Sequence, residues 1–303
     1  MPEAKTTRPS VPSGLLVIDK SPGMTSHDVV ARVRKIMGTR KIGHAGTLDP
    51  MATGVLVLGV ERATKLLGHL ALDRKTYLAT LALGVATVTD DAEGEEVSTA
   101  EPAEIAAIGD DAIVAGIAAL TGEIEQVPSS VSAVKVAGKR AYARVRSGED
   151  VVLKARPVTV YRFDLLATRR APGRLELDAI VECSSGTYVR ALARDLGNAL
   201  GVGGHLAALR RTTVGPFTLG RARTLEQLEE SPMLSHDLSA AVAAAFPRYE
   251  VDARTARSVQ YGRQIRASGI EGTYGVFGPD GHAVALAVDA GGVSRSIVVL
   301  DPA

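Results

Sequence analysis

Val55-Leu-Val-Leu-Gly-Val60 is apolar on both of its alternating faces, which predicts a strand buried on both sides. Upstream, Gly14 to Ile18 predicts a short strand entering Asp19-Lys-Ser-Pro-Gly23, where the Pro-Gly pair predicts a turn. Thr25 to Asp28 has capping-box spacing. The following Val29, Val30, Val33, Ile36 and Met37 form one helical stripe, which Gly38 ends. Arg62 to Leu70 reads as a helix. Lys75 to Leu83 alternates as a strand, with Tyr77, Ala79, Leu81 and Leu83 on one side.

Further on, Glu101 to Leu120 predicts one or two Ala- and Ile-rich helices carrying an acidic surface. Gln126 to Arg140 reads as loop and Arg140 to Arg146 as a short helix. Arg156 to Thr168 and Arg174 to Cys183 predict two long paired strands joined at Ala171-Pro-Gly173. Their inward face is Leu175, Leu177, Ala179, Val181 and Cys183. Ser184 or Ser185 is placed to cap a helix from about Thr187 to Leu200 that Gly201 stops, and Thr224 to Gln227 is a second capping box. Beyond Phe246-Pro247 the texture changes to short apolar segments broken by glycines, with a hairpin turn at Pro279-Asp-Gly281. This predicts a small all-β domain with an accessory binding role. Helices and strands mix without regular alternation, which favours α+β over a doubly wound sheet.

Composition narrows the classes. At 303 residues and 46% hydrophobic, the chain is long enough for one large domain or two unequal ones. The net charge of +1 does not advertise a nucleic-acid partner, but the local charge does. Eleven acids and no Lys or Arg lie between Asp90 and Glu125, and ten bases against three acids between Gln126 and Arg170. Two solvated faces of opposite sign explain this plainly. A basic arm gripping a polyanion explains it more sharply. The single cysteine, Cys183, excludes an internal disulfide and fits a reducing compartment. No apolar run reaches membrane-spanning length. Residues 1–13 read as a loose tail without the apolar core of a signal peptide, so a cytoplasmic location is expected.

The chemistry concentrates in Lys41-Ile-Gly-His-Ala-Gly-Thr-Leu-Asp-Pro-Met-Ala-Thr-Gly54, a polar Gly-rich loop immediately before the buried strand. Such a loop can present the Asp49 carboxylate rigidly, although an aspartate before Pro50 is also an ordinary turn residue. His44 is a candidate for stacking on a base or donating to a phosphate. There is no phosphate-binding Gly-x-x-x-x-Gly-Lys loop, no dinucleotide fingerprint and no histidine pair with metal-ligand spacing. A metal enzyme is not expected.

Several motifs, taken together, carry a family resemblance. They are Asp19-Lys-Ser-Pro-Gly-Met-Thr-Ser26, Gly43 to Gly54, Lys75-Thr-Tyr77, Asp91-Ala-Glu-Gly94 and Cys183-Ser-Ser-Gly-Thr-Tyr-Val-Arg190. From about Gly14 to Phe217 the chain resembles the TruB family of bacterial tRNA pseudouridine synthases. The resemblance implies an isomerase that converts uridine 55, in the T-loop of tRNA, to pseudouridine without cofactor or metal. It implies an α+β catalytic domain over 14–246, with a mixed, mainly antiparallel sheet flanked by helices. A thumb-like RNA-gripping segment over about 126–156 and a PUA-like C-terminal RNA-binding domain over 247–303 complete the expected organisation. On matching positions, Asp49 would be the nucleophile and Arg190 its ion-pair partner. Tyr77 would pack on the target base and assist removal of its C5 proton. His44 would meet the T-loop, Tyr188 the target nucleotide, and Leu209 would line the pocket. Lys20 and Lys65 match basic positions near the site. The glycines of the loop would admit the everted nucleotide. The partner is the tRNA T-arm, and a monomer is the simplest state. The thumb departs from the family pattern: Val127-Pro-Ser-Ser-Val-Ser-Ala133 lacks the second proline and the aromatic ring usual there.

Two other readings compete. A tRNA-binding or tRNA-folding protein with secondary catalysis would share the basic arm and differ at Asp49. A glycosidase with paired carboxylates needs a second acid near Asp49, and none lies between Lys41 and Val60 apart from Asp49 itself.

Overall fold

The computed structural model describes residues 11–71, 74–129 and 153–303, together with the backbone of 135–136 and 139–140. The helix expected over 140–146 and most of the thumb segment lie outside the described residues. Where the stretch read as loop is described, it contains a small hairpin, Lys135 opposite Arg140 and Val136 opposite Lys139. Strands of two residues are too short for an alternation to register. The chain divides into two compact units, one of Met1–Asp49, Val55–Ala71 and Gly215–Ala303, the other of Pro50–Gly54 and Leu72–Val214.

In the first unit, strand Gly14–Lys20 lies between His236–Asp237 and the strand Thr53–Val60, and Ile42–Ala45 pairs antiparallel with the latter. Leu15 to Ile18 and Val55 to Leu58 have no exposed surface, as a run apolar on both faces requires. The first strand runs two residues beyond its expected end and carries Asp19 and Lys20. Helix Ser26–Met37 begins at the expected box. The Thr25 hydroxyl accepts from the Asp28 amide at 3.1 Å, and the Asp28 carboxylate accepts from the Thr25 amide at 2.9 Å. The Thr25 hydroxyl also donates to the Asp28 carboxylate at 2.6 Å, and that bond first, then the one from the Thr25 amide, holds the Asp28 carboxyl below its usual pKa. The helix expected over 62–70 is instead a 3₁₀ segment, Glu61–Leu66, followed by one α-turn, Leu67–Leu70. Glu61 enters it at φ 53°, and the Thr64 hydroxyl donates back to the Glu61 carbonyl at 2.7 Å, competing with a regular helical ladder.

The segment after Phe246 forms a five-stranded sheet in the order Arg248–Glu250, Tyr274–Phe277, Ala283–Ala290, Val293–Val299, Ile265–Arg266. The hairpin turn falls at Pro279-Asp-Gly281, where Gly281 takes φ 76°. It is not all-β. A helix, Ala253–Gln260, is capped by Asp252 and packs Ala256 and Val259 into a core with Tyr274, Val276, Val284, Ala285 and Ala287. Only two of its eight side chains are buried, so its apolar stripe is too thin to read from the sequence.

The second unit is built on an antiparallel sheet in the order Gly204–Val214, Lys75–Leu83, Arg174–Cys183, Arg156–Ala171, Gly122–Gln126. Thr53 and Gly54 pair parallel with Arg210 and Arg211, which makes the pairing mixed but mainly antiparallel. The expected inward face, Leu175, Leu177, Ala179, Val181 and Cys183, is buried throughout. Helix Val189–Ala199 packs on Gly204–Val214 and Lys75–Leu83, and helix Asp110–Ala119 packs beside it. The helix start differs from expectation. Tyr188 is the N-cap, without a side-chain cap, because the Ser184 hydroxyl accepts instead from the Thr159 amide at 2.9 Å.

The charge runs also resolve differently. Asp90 and Asp91 are buried rather than part of an acidic surface. In the basic run, Arg162 pairs with Asp164, Arg169 with Glu176 and Asp178, and Arg170 with Asp110. These arginines are solvated, as the plain reading has it, but each is paired with an acid, so they do not form one of two separate faces of opposite sign.

Candidate active site

The residues singled out from the sequence fall in both units: Lys20, His44, Asp49 and Lys65 in the first, Tyr77, Tyr188, Arg190 and Leu209 in the second.

In the first unit, Asp49 follows a tightly held residue. Leu48 is 3% exposed, and its main chain is gripped on both sides by one hydroxyl. Ser26 Oγ donates to the Leu48 carbonyl at 3.1 Å and accepts from the Leu48 amide at 2.9 Å. Asp49 itself is half-buried. A carboxylate whose preceding residue is locked to a capped helix is pre-organised, which is what a nucleophile needs. His44 lies on strand Ile42–Ala45 opposite Leu58, and its ring meets His27 edge-on with centroids 5.4 Å apart. Lys20 is fully buried, with its ammonium donating to the carbonyls of Ser21 at 2.9 Å and Met24 at 2.8 Å. It thereby ties the Pro-Gly turn to the start of the helix that supplies Ser26. Lys65 is exposed and donates to the Val299 carbonyl at 2.8 Å, joining the 3₁₀ segment to the last strand.

The loop glycines have reasons within the chain itself. A Cβ on Gly54 would fall 2.1 Å from the Arg211 carbonyl oxygen, and one on Gly43 would fall 2.9 Å from Leu67 Cδ1. Gly46 takes φ 80°. Close backbone packing and turn geometry therefore account for glycine at these positions.

In the second unit, Tyr77 and Leu209 share one face of the sheet. Tyr77 stands opposite Val181 on one neighbouring strand and Arg211 on the other, and Leu209 stands opposite Ala79. All are buried, Tyr77 at 7% and Leu209 at 9% exposure. Arg211 is fully buried in the same row, although an arginine within Leu-Arg-Arg reads as a surface charge and only the alternation Leu209–Arg211 hints otherwise. Cys183 closes the row beside Lys75, and burial pushes its thiol up to about 11, so it is no nucleophile near neutral pH.

Tyr188 and Arg190 head the helix that packs on these strands. Arg190 is 5% exposed, and its Nη1 donates to the Thr89 carbonyl at 2.8 Å and to Asp91 Oδ2 at 3.1 Å. Asp91 is held in turn by the Thr89 hydroxyl and the Glu93 amide. One helical turn later, Arg194 donates to Asp90 Oδ2 at 3.0 Å. The two arginines thus bind the same loop, and breaking such a buried pair costs about 3–5 kcal/mol. The sequence signal for it is the Asp91-Ala-Glu-Gly94 motif, whose first carboxylate anchors Arg190. Among the described residues, no group of three or more His, Cys, Asp or Glu is placed to hold a metal ion.

Comparison with known proteins agrees across the chain. The model described as TruB family pseudouridylate synthase (N terminal domain) matches residues 34–189. Models described as tRNA pseudouridylate synthase B C-terminal domain and as tRNA Pseudouridine synthase II, C terminal match 190–243 and 246–301. A Nocardia farcinica protein named tRNA pseudouridine synthase B is 60% identical over 299 residues, covering 99% of this chain and 97% of that one. A Rhodococcus jostii protein of the same name is 58% identical over 294 residues, covering 97% and 95%. Among solved structures, a chain of a Cbf5-Nop10-Gar1 complex superposes with a TM-score of 0.72 at 26% identity, covering 95% of this chain and 85% of that one.

Proposed function

Because the chain belongs to the TruB family of pseudouridylate synthases, we propose that it is a tRNA-modifying isomerase acting on uridine 55 of the T-loop. The observation that carries the assignment of chemistry is the clamped loop ahead of Asp49: a half-buried carboxylate directly after Leu48, whose amide and carbonyl are both bound by Ser26.

Isomerisation breaks the N1–C1′ glycosidic bond, turns the freed uracil and rejoins it through C5. The Asp49 carboxylate serves as nucleophile, by attack at C1′ or addition to C6; on the third route, through a glycal, the same carboxylate acts as base at C2′. Arg190 pairs with Asp49. A guanidinium offers five N–H donors, so one arginine can serve both Asp49 and its anchors Asp91 and Thr89. Tyr77 packs on the base and assists loss of the C5 proton, while Leu209 and Tyr188 complete an apolar pocket that retains the detached uracil. His44 holds the T-loop after the base leaves its stack, a step costing a few kcal/mol that stacking and phosphate contacts offset. Lys20 supports the site from beneath through the turn it ties down, and Lys65 through its bond to the last strand. The segment over about 126–156 grips the RNA, and residues 247–303 form the PUA-like accessory domain. The reaction consumes no second substrate and calls for no cofactor. The enzyme works as a cytoplasmic monomer.

Incubation with an unmodified tRNA transcript, followed by chemical mapping of pseudouridine, tests this reading. Modification confined to the T-loop uridine is expected. Binding without product would favour a tRNA-folding role, and release of free uracil would favour a glycosidase.

A further inference from the structure

A buried amide in the second unit has no part in the chemistry above, yet it grips a residue of the proposed site. Gln126 ends strand Gly122–Gln126 and is 2% exposed. Its Nε2 donates to the Tyr188 carbonyl at 3.1 Å and its Oε1 accepts from the Tyr188 amide at 2.8 Å. Both bonds go to one main-chain residue, as a neighbouring β-strand would make them, so the plane of the Tyr188 backbone is determined by a side chain. Tyr188 needs this. It is the N-cap of Val189–Ala199 and has no side-chain cap of its own, and its carbonyl also receives the Leu192 amide at 3.3 Å. From the same helix, Arg194 Nη2 donates to the carbonyl of Val127 at 2.7 Å, tying the residue after Gln126 to the helix as well. Only a glutamine fits the arrangement. Asparagine is one methylene short, and glutamate would set a second acceptor against the Tyr188 carbonyl.

We propose that Gln126 is a positioning residue for the reaction: by holding the Tyr188 main chain it aims the Tyr188 ring at the target nucleotide. This rests on the reading that Tyr188 meets that nucleotide. The alternative is that Gln126 merely fastens strand to helix, and the two differ in what they move.

The test compares Gln126→Ala, Gln126→Glu, Tyr188→Ala and the double variant Gln126→Ala/Tyr188→Ala in single-turnover assays on a tRNA transcript, with thermal unfolding measured for each. A misaimed contact lowers the chemical rate by roughly 10- to 100-fold with tRNA affinity little changed. Gln126→Ala should show that loss while remaining folded at the assay temperature. The double variant should lose no more than Tyr188→Ala alone, because Gln126 acts through Tyr188. Gln126→Glu should regain rate, relative to wild type, as pH falls and its carboxyl becomes a donor to the Tyr188 carbonyl. Wild-type rates in folded Gln126→Ala, or losses that multiply in the double variant, would overturn the positioning role alone. An unaffected Tyr188→Ala would overturn the reading of Tyr188 on which the proposal stands.

Discussion

Ser26 and Gln126 do the same physical job with different side chains. Each binds both the amide and the carbonyl of one main-chain residue, Leu48 next to Asp49 and Tyr188 two residues before Arg190. Neither carries a charge or a reactive group, so neither announces itself in a sequence. Asp49 and His44 did, through the density of glycine, proline and polar residues around them. Arg211 did not, because a buried arginine and an exposed one look alike until the strand that holds it is known. At this scale the residues proposed to react stand out in the sequence, and the residues that hold them do not. Ser26→Ala should remove both bonds to Leu48 and strand two buried backbone groups, costing about 1–3 kcal/mol. If the clamp matters to chemistry, kcat should fall roughly tenfold with KM nearly unchanged. An unchanged kcat in the folded variant would mean that the loop holds Asp49 without Ser26.

Among elements, the legible ones had complete local signals. Thr25–Asp28 and Thr224–Gln227 both form reciprocal capping boxes, and the alternating strands bury the faces their patterns predicted. The misread elements had signals that tertiary contacts overrode. Ser184 looked like a cap and instead bonds strand Arg156–Ala171 at Thr159. Asp90 and Asp91 looked like surface acids and instead receive Arg194 and Arg190. Gly54 belongs here too, because what requires it is the approach of one strand to another. Its φ is 99°, and a Cβ would sit 2.1 Å from the Arg211 carbonyl. Gly54→Ala should therefore destabilise the protein by about 3 kcal/mol, read as a lower urea midpoint. A loss below about 0.5 kcal/mol, the scale of an ordinary surface change, would show that the strands part easily.

Over the whole molecule, the α+β class and the texture change near Phe246 were readable, while the division into units was not, since it joins segments far apart in sequence. The C-terminal sheet carries its own pH dependence. The Asp289 carboxylate accepts from the Tyr274 hydroxyl, the Ser268 amide and hydroxyl, and the Gly269 amide at 2.7 Å. The Tyr274 bond first, then the two amides, hold its pKa below the ordinary 3.8. A lowered carboxyl pKa contributes stability above the unfolded value and loses it as pH falls through the folded one. Thermal unfolding between roughly pH 5 and pH 2 should show that loss in the wild type, reduced in Asp289→Asn. Parallel curves for the two proteins would remove Asp289 from the account.

The proposed function places covalent chemistry on a T-loop uridine at a clamped Asp49. Asp49→Asn changes one oxygen to nitrogen and leaves the Ser26–Leu48 bonds in place. Mapping pseudouridine in a tRNA transcript treated with this variant, beside a tRNA-binding measurement, is the most direct test. The account predicts no pseudouridine at the T-loop and binding close to wild type. Pseudouridine formed at an undiminished rate by Asp49→Asn would contradict it.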